Sequence, residues 1–147
     1  MNTIKLYLYD SYLREVDARI TKIQLLKRRR AYIVLDKTIF HPLTGGQASD
    51  RGEVFSKSVR FRVKKVIVKG DVILHYGVFD NKVFFREGDE VTLRIDWGYR
   101  YRVMRLHTAG HILDYALMKV YNRLVETLSA YHGLPKSYLE YLSLIHI

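Results

Sequence analysis

Up to residue 95 the apolar positions of this chain recur mostly at every second residue; beyond it they recur at every third and fourth. A period of two lays alternate side chains on opposite faces of a strand, and a period near 3.6 lays them along one face of a helix. The alternation predicts strands at 3–9, Thr-Ile-Lys-Leu-Tyr-Leu-Tyr, and at 14–26, followed by a buried β-branched run at Ala31–Leu35. Strand-like pieces resume at Glu53–Phe55, Val59–Val68, Val72–Tyr76, Lys82–Phe85 and Val91–Ile95. Gly70-Asp71 and Glu87-Gly88-Asp89 read as turns between them. Residues 1–95 therefore read as roughly seven short strands, spaced like a small β-barrel. Residues 36–52 break the pattern with Pro42, Gly45, Gly46 and Gly52 and are expected to form a loop.

Asp96 is placed to cap a helix, which the spacing carries to about Leu128. Leu106, Gly110, Leu113, Leu117, Val120 and Leu124 recur at steps of four and three, so this helix has an apolar stripe. The change of period at Asp96 marks a domain boundary. The expected fold class is α+β, with a β-barrel domain at 1–95 and the helical start of an α+β domain at 96–141.

Within that helix stand His107 and His111, four residues apart. The spacing puts both imidazoles on one face, one turn apart, where they can approach a single zinc ion. Such a pair also arises by chance on a solvated helix face. A zinc protease would need a glutamate beside the first histidine as general base. Thr108 stands there instead, which argues against peptide hydrolysis.

Composition adds a direction. The chain of 147 residues is 48% hydrophobic and 27% charged, as a globular protein is. No apolar run is long enough to span a bilayer. The absence of cysteine excludes disulfides and agrees with a cytoplasmic location. Lys+Arg outnumber Asp+Glu by 25 to 15, a net charge of +10 that favours a polyanionic partner. The positive residues cluster at Lys27-Arg28-Arg29-Arg30, at Arg60, Arg62, Lys64 and Lys65, and at Arg94, Arg100, Arg102 and Arg105. Of these, Lys27, Arg28, Arg29, Arg30, Arg100 and Arg102 are the expected phosphate contacts.

Two longer motifs carry a resemblance. Phe40-His41-Pro42-Leu43-Thr44-Gly45-Gly46-Gln47-Ala48-Ser49-Asp50-Arg51-Gly52 resembles the glycine-rich stretch of the alanyl-tRNA synthetase editing domain. Asp96-Trp97, Arg100, Met104 and His107-Thr108-Ala109-Gly110-His111-Ile112-Leu113 resemble that family's "DW…R…HTAxHLL" segment. The start of the chain directs the resemblance to the free-standing, AlaX-type editing proteins. It implies a small N-terminal barrel followed by an α+β domain shared with threonyl-tRNA synthetases. It implies hydrolysis of tRNA for alanine that carries serine or glycine. It also implies zinc, held by His107 and His111 together with a later CxxxH pair, and tRNA for alanine as partner. The loop with Gly45, Gly46 and Gln47 matches the substrate-pocket motif, although Thr44 replaces a glycine and Ala48 a proline.

Ester hydrolysis needs activated water, a polarised carbonyl and a discriminating pocket. Backbone amides at Gly45 and Gly46 are candidates to bind developing negative charge, and Gln47 to position water or ester. Thr44 or Thr127 is the candidate partner for a serine hydroxyl, and Arg105 a further substrate contact. The CxxxH half is absent, so two further zinc ligands are expected beyond the end of this chain. Residues 142–147, Leu-Ser-Leu-Ile-His-Ile, back-translate as CTG TCT CTT ATA CAC ATC, the end of a transposon sequencing adapter. Natural sequence is accordingly expected to stop near Tyr141. The competing expectations are a non-catalytic tRNA-binding module and a fragment of a full alanyl-tRNA synthetase.

Overall fold

The structure is a computed structural model that describes residues 2–44, 47–121, 127–131 and 138–141. Its strands are β1 (Ile4–Lys5), β2 (Glu15–Leu25), β3 (Arg30–Leu35), β4 (Lys37–Thr38), β5 (Gly52–Phe55), β6 (Arg60–Lys69), β7 (Val72–Phe79) and β8 (Glu90–Ile95). The helix α1 (Trp97–Tyr121) follows, then β9 (Thr127–Tyr131) and β10 (Tyr138–Tyr141). Six strands close into an antiparallel barrel in the order β2-β3-β7-β6-β5-β8. The fold is α+β, as the change of period implies.

Alternation explains the barrel interior. On β7, Ile73, His75, Gly77 and Phe79 are buried, while the residues between them are only half-buried. Phe61 and Val63 of β6, Val54 of β5 and Leu93 of β8 complete the same core. On β6 the register shifts between Val63 and Lys65, so Lys64 and Lys65 are both exposed before Val66 turns inward again. A bulge of this kind re-aims side chains at the cost of one ladder position.

Three expected elements differ. Residues 3–9 are not one strand: β1 makes a two-residue parallel pairing with β4, and Leu6–Leu8 form a 3-10 turn. The amides of Tyr9 and Asp10 both bond Leu6 carbonyl oxygen, so the chain turns before a ladder can extend. Lys82–Phe85 is not a strand either. Phe84 and Phe85 instead pack their rings on Phe79, at centroid distances of 4.9 and 5.5 Å, which buries Phe85 and half-buries Phe84 without a partner strand. The helix does not reach Leu128. Its described residues run to Tyr121, and Thr127–Tyr131 is a strand that pairs antiparallel with Tyr138–Tyr141. Threonine and tyrosine favour strands over helices. The proposed stripe is correspondingly mixed: Gly110 is buried, Leu106 and Leu117 are half-buried, and Leu113 and Val120 are exposed. Leu124 and the tail at 142–147 lie outside the described residues.

Asp96 caps α1 as its sequence position suggests: its Oδ1 accepts from the Tyr99 amide at 3.0 Å, and its carbonyl from the Arg100 amide at 3.0 Å. The chain divides into two compact units. The first holds Met1–Leu43 and Ser49–Arg100; the second holds Thr44–Ala48 and Tyr101–Ile147. The tip of the loop thus belongs with the histidine helix, not with the barrel from which its stems arise.

Candidate active site

The loop has a built tip. The Thr44 amide donates to Gln47 carbonyl oxygen at 3.3 Å, and the Gln47 amide to Thr44 carbonyl oxygen at 2.8 Å. This reciprocal pair brackets Gly45-Gly46, a dipeptide suited to two-residue turns because glycine accepts positive φ. Gly45 and Gly46 themselves lie outside the described residues. Gln47 is half-buried and Thr44 exposed. Below the tip, the Leu43 amide donates to Val66 carbonyl oxygen at 2.8 Å, and Ser49 Oγ accepts from the Val66 amide at 3.2 Å. Both stems are therefore tied to β6.

The base of the loop is closed by Asp50. Its amide donates to His41 carbonyl oxygen at 2.9 Å, and its Oδ2 accepts from the His41 amide at 2.7 Å. Arg100, from the first turns of α1, donates Nε to both carboxylate oxygens at 3.1 and 3.0 Å, and Nη2 to Oδ2 as well. Its remaining donors reach Ser11 and Ile39 carbonyl oxygens. The pair is buried, with side-chain exposures of 4% and 6%. Arg100 is expected among the phosphate contacts, and its burial corrects that: all three guanidinium nitrogens donate to acceptors of the protein. Asp50 stands in the glycine-rich motif, where nothing local marks its role. Its partner lies fifty residues away, a separation at which sequence periodicity carries no signal.

On α1, His107 Nε2 and His111 Nε2 face each other at 3.0 Å, with the rings edge-on. Nitrogen ligands at about 2.0–2.1 Å from a tetrahedral zinc stand about 3.3 Å apart. The two imidazoles therefore fit adjacent corners of such a site. Among the described residues no group of three or more His, Cys, Asp and Glu could hold a metal, so the pair is half a site. On the same helix Tyr101, Met104, Arg105, Thr108, Ala109 and Ile112 line a shallow cleft of about 310 Å³. Arg105 is exposed, with its guanidinium 5.8 Å from the Tyr101 ring centroid.

The second unit thus contains Thr44, Gln47, Arg105, His107, His111 and the backbone of Thr127 on β9, whose side chain lies outside the described residues. Arg102 is exposed in that unit. Lys27–Arg30 belong to the first unit, at the turn between β2 and β3. Lys27, Arg28 and Arg29 are exposed, whereas half-buried Arg30 donates to Lys27 carbonyl oxygen and Tyr76 hydroxyl. No described helix is long and apolar enough to cross a membrane.

Over 118 residues, 80% of this chain, it is 39% identical to an alanyl-tRNA editing protein, AlaX-L, of Pyrococcus horikoshii, covering 29% of that protein. Over the same length it is 42% identical to AlaX-M of that organism, covering 50%. It is 44% identical to an alanine–tRNA ligase of Ignicoccus hospitalis, covering 12%. The chain spans half or less of the length of these relatives. Residues 11–99, more than half of the chain, match the family of class II (A) tRNA synthetases: they take in the barrel, the loop with its Asp50 clasp and the start of α1. By that match the chain belongs to the class II (A) tRNA synthetase family.

Proposed function

We propose that this chain carries part of an editing hydrolase, which cleaves the aminoacyl ester of tRNA for alanine mischarged with serine or glycine. The observation that carries the reading is the grouping of the Thr44–Gln47 turn and the His107–His111 pair in one compact unit. The names of its relatives, alanyl-tRNA editing proteins and alanine–tRNA ligases, support the same substrate. In this reading the protein works in the cytoplasm, where tRNA is charged.

The reaction adds water to the ester carbonyl and releases the ribose oxygen of the terminal adenosine, giving free amino acid and tRNA. His107 and His111 would hold zinc, completed by ligands outside the described residues. When bound, zinc supplies Lewis-acid polarisation and orientation. The Gln47 carboxamide has both donor and acceptor atoms to orient water or ester. The Thr44 hydroxyl, at the exposed tip, can bond a serine side chain and finds no partner on alanine, which favours the mischarged substrate. Backbone amides at Gly45 and Gly46 would receive the negative charge that develops on the carbonyl oxygen. Arg105 would contact the substrate beside the histidines. Asp50 and Arg100 fix the stems of the loop and the first turns of α1, so they position rather than react.

A second reading, a non-catalytic RNA-binding module, is favoured by the presence of only half a metal site among the described residues. One assay separates the two. Seryl-, glycyl- and alanyl-tRNA for alanine are incubated with zinc and the full-length protein, and amino-acid release is followed; the 147-residue chain alone, with two of the ligands, is expected to release little. Release of serine or glycine well above that of alanine, abolished by His107→Ala, is the expected result. Binding of all three without release would leave only the RNA-binding module.

A further inference from the structure

The turn between β2 and β3 is built against its own residues. Arg28 and Arg29 both lie at positive φ, 62° and 63°. Two-residue turns of that shape ordinarily take asparagine and glycine, because a Cβ crowds the backbone there. Two long cations held in such a conformation point to a use for their side chains. Arg29 leans on the barrel: its guanidinium donates to Asp80 carbonyl oxygen. There it shares a cleft of about 540 Å³ with Arg62 and Lys64 of β6. Arg62 and Lys64 also line a neighbouring cleft of about 630 Å³ with Arg51 and Arg94. The β6 bulge adds Lys65 to the same exposed run.

Charge compensation is incomplete along this furrow. Arg62 bonds Asp80 and Arg94 bonds Glu15, each at 2.8 Å. Among the described residues, Arg28, Arg29, Arg51, Lys64 and Lys65 have no acidic partner. Fixed guanidiniums with spare donors suit bidentate contact to phosphate, and ammonium groups add point charge. We propose that this furrow on the outer barrel wall, from the Arg28-Arg29 turn across Arg62 and Lys64 to Arg51, grips the phosphodiester backbone of RNA. The choice of RNA rests on the reading of the chain as acting on tRNA.

The test measures binding of uncharged tRNA to this chain across a salt series. The variant R29Q/R62Q/K64Q is compared with a neutralisation elsewhere, K22Q/K57Q/K69Q, which removes the same number of exposed charges. Thermal melts confirm that each variant folds. The furrow variant should bind at least tenfold more weakly, and its slope of log affinity against log salt should fall by about 2 to 3, one lost contact per residue. The control should keep most of both. Equal losses in the two variants, or wild-type binding by the furrow variant, overturn the proposal. So does a wild-type chain that prefers phosphatidylglycerol vesicles to tRNA. Because uncharged tRNA is used, failure of hydrolysis leaves this result standing, and failure of the furrow leaves hydrolysis untouched.

Discussion

His75 stands on β7 with no exposed surface, in the middle of the barrel. Ile33 carbonyl oxygen can only accept, so the neutral His75 ring carries its proton on Nδ1, and the Thr38 hydroxyl, which also accepts from the Phe40 amide at 3.1 Å, donates to His75 Nε2 at 2.8 Å. The ring then donates from Nδ1 to Ile33 carbonyl oxygen at 3.0 Å. Both ring nitrogens are satisfied in the neutral form, and burial lowers the pKa to about 4, against the opposing pull of the Ile33 carbonyl. The unfolded ring takes a proton near its ordinary value of 6.5. Stability from this residue is therefore complete above about pH 6.5 and is lost as pH falls toward 4, where the unfolded chain binds a proton that the folded one refuses. The loss amounts to about 3 kcal/mol over that window. Urea unfolding of wild type and His75→Gln between pH 7.5 and 4 tests this: the wild-type profile should fall more steeply. Parallel profiles would show that another group carries the acid sensitivity.

At the scale of elements, the long strands were readable because each puts one face in water and one in the core. The short elements were not, because their burial comes from partners the alternation does not name: Leu6–Leu8 turns on its own carbonyl, and Phe84 and Phe85 plug against Phe79. The helix was carried too far because Leu124 and Leu128 continue its spacing, whereas strand pairing decides Thr127–Tyr131. Glycine positions show the same divide. Gly70 has φ +61° and open space around it, which a turn signal anticipates. Gly52 ends the glycine-rich motif, and its reason appears only in three dimensions: a Cβ there would meet Arg94 carbonyl oxygen at 2.1 Å, across the β5–β8 pairing. Gly70→Ala should cost about 1 kcal/mol from its backbone alone. Gly52→Ala must separate two paired strands at the foot of the loop and should cost more, about 3 kcal/mol. Thermal melts of the two variants order them, and a smaller loss at Gly52 would show that β5 and β8 part easily.

For the whole molecule, the two motifs were legible as residue strings, but the bond that joins them was not. Asp50 and Arg100 meet because the barrel brings the loop stems to the first turns of α1, and nothing local in either segment announces that. The same closure gathers cations from β6, β8 and the β2–β3 turn, whereas the histidines and the loop tip fall in the other unit. Holding RNA and cleaving its ester would then be divided between units, and their kinetic signatures should separate. Neutralising Arg29, Arg62 and Lys64 removes contacts made alike before and during the reaction, so KM should rise about tenfold or more with kcat nearly unchanged. On the proposed reading His107 and His111 act at the reacting ester, so replacing them by alanine should lower kcat by at least about a hundredfold. Affinity for uncharged tRNA should meanwhile stay within about threefold, because neither imidazole belongs to the furrow. Steady-state hydrolysis of seryl-tRNA and equilibrium binding of uncharged tRNA, measured on the same preparations, decide the matter. If the histidine variant loses binding in step with turnover, or the furrow variant loses kcat at unchanged KM, the two tasks are not divided in this way.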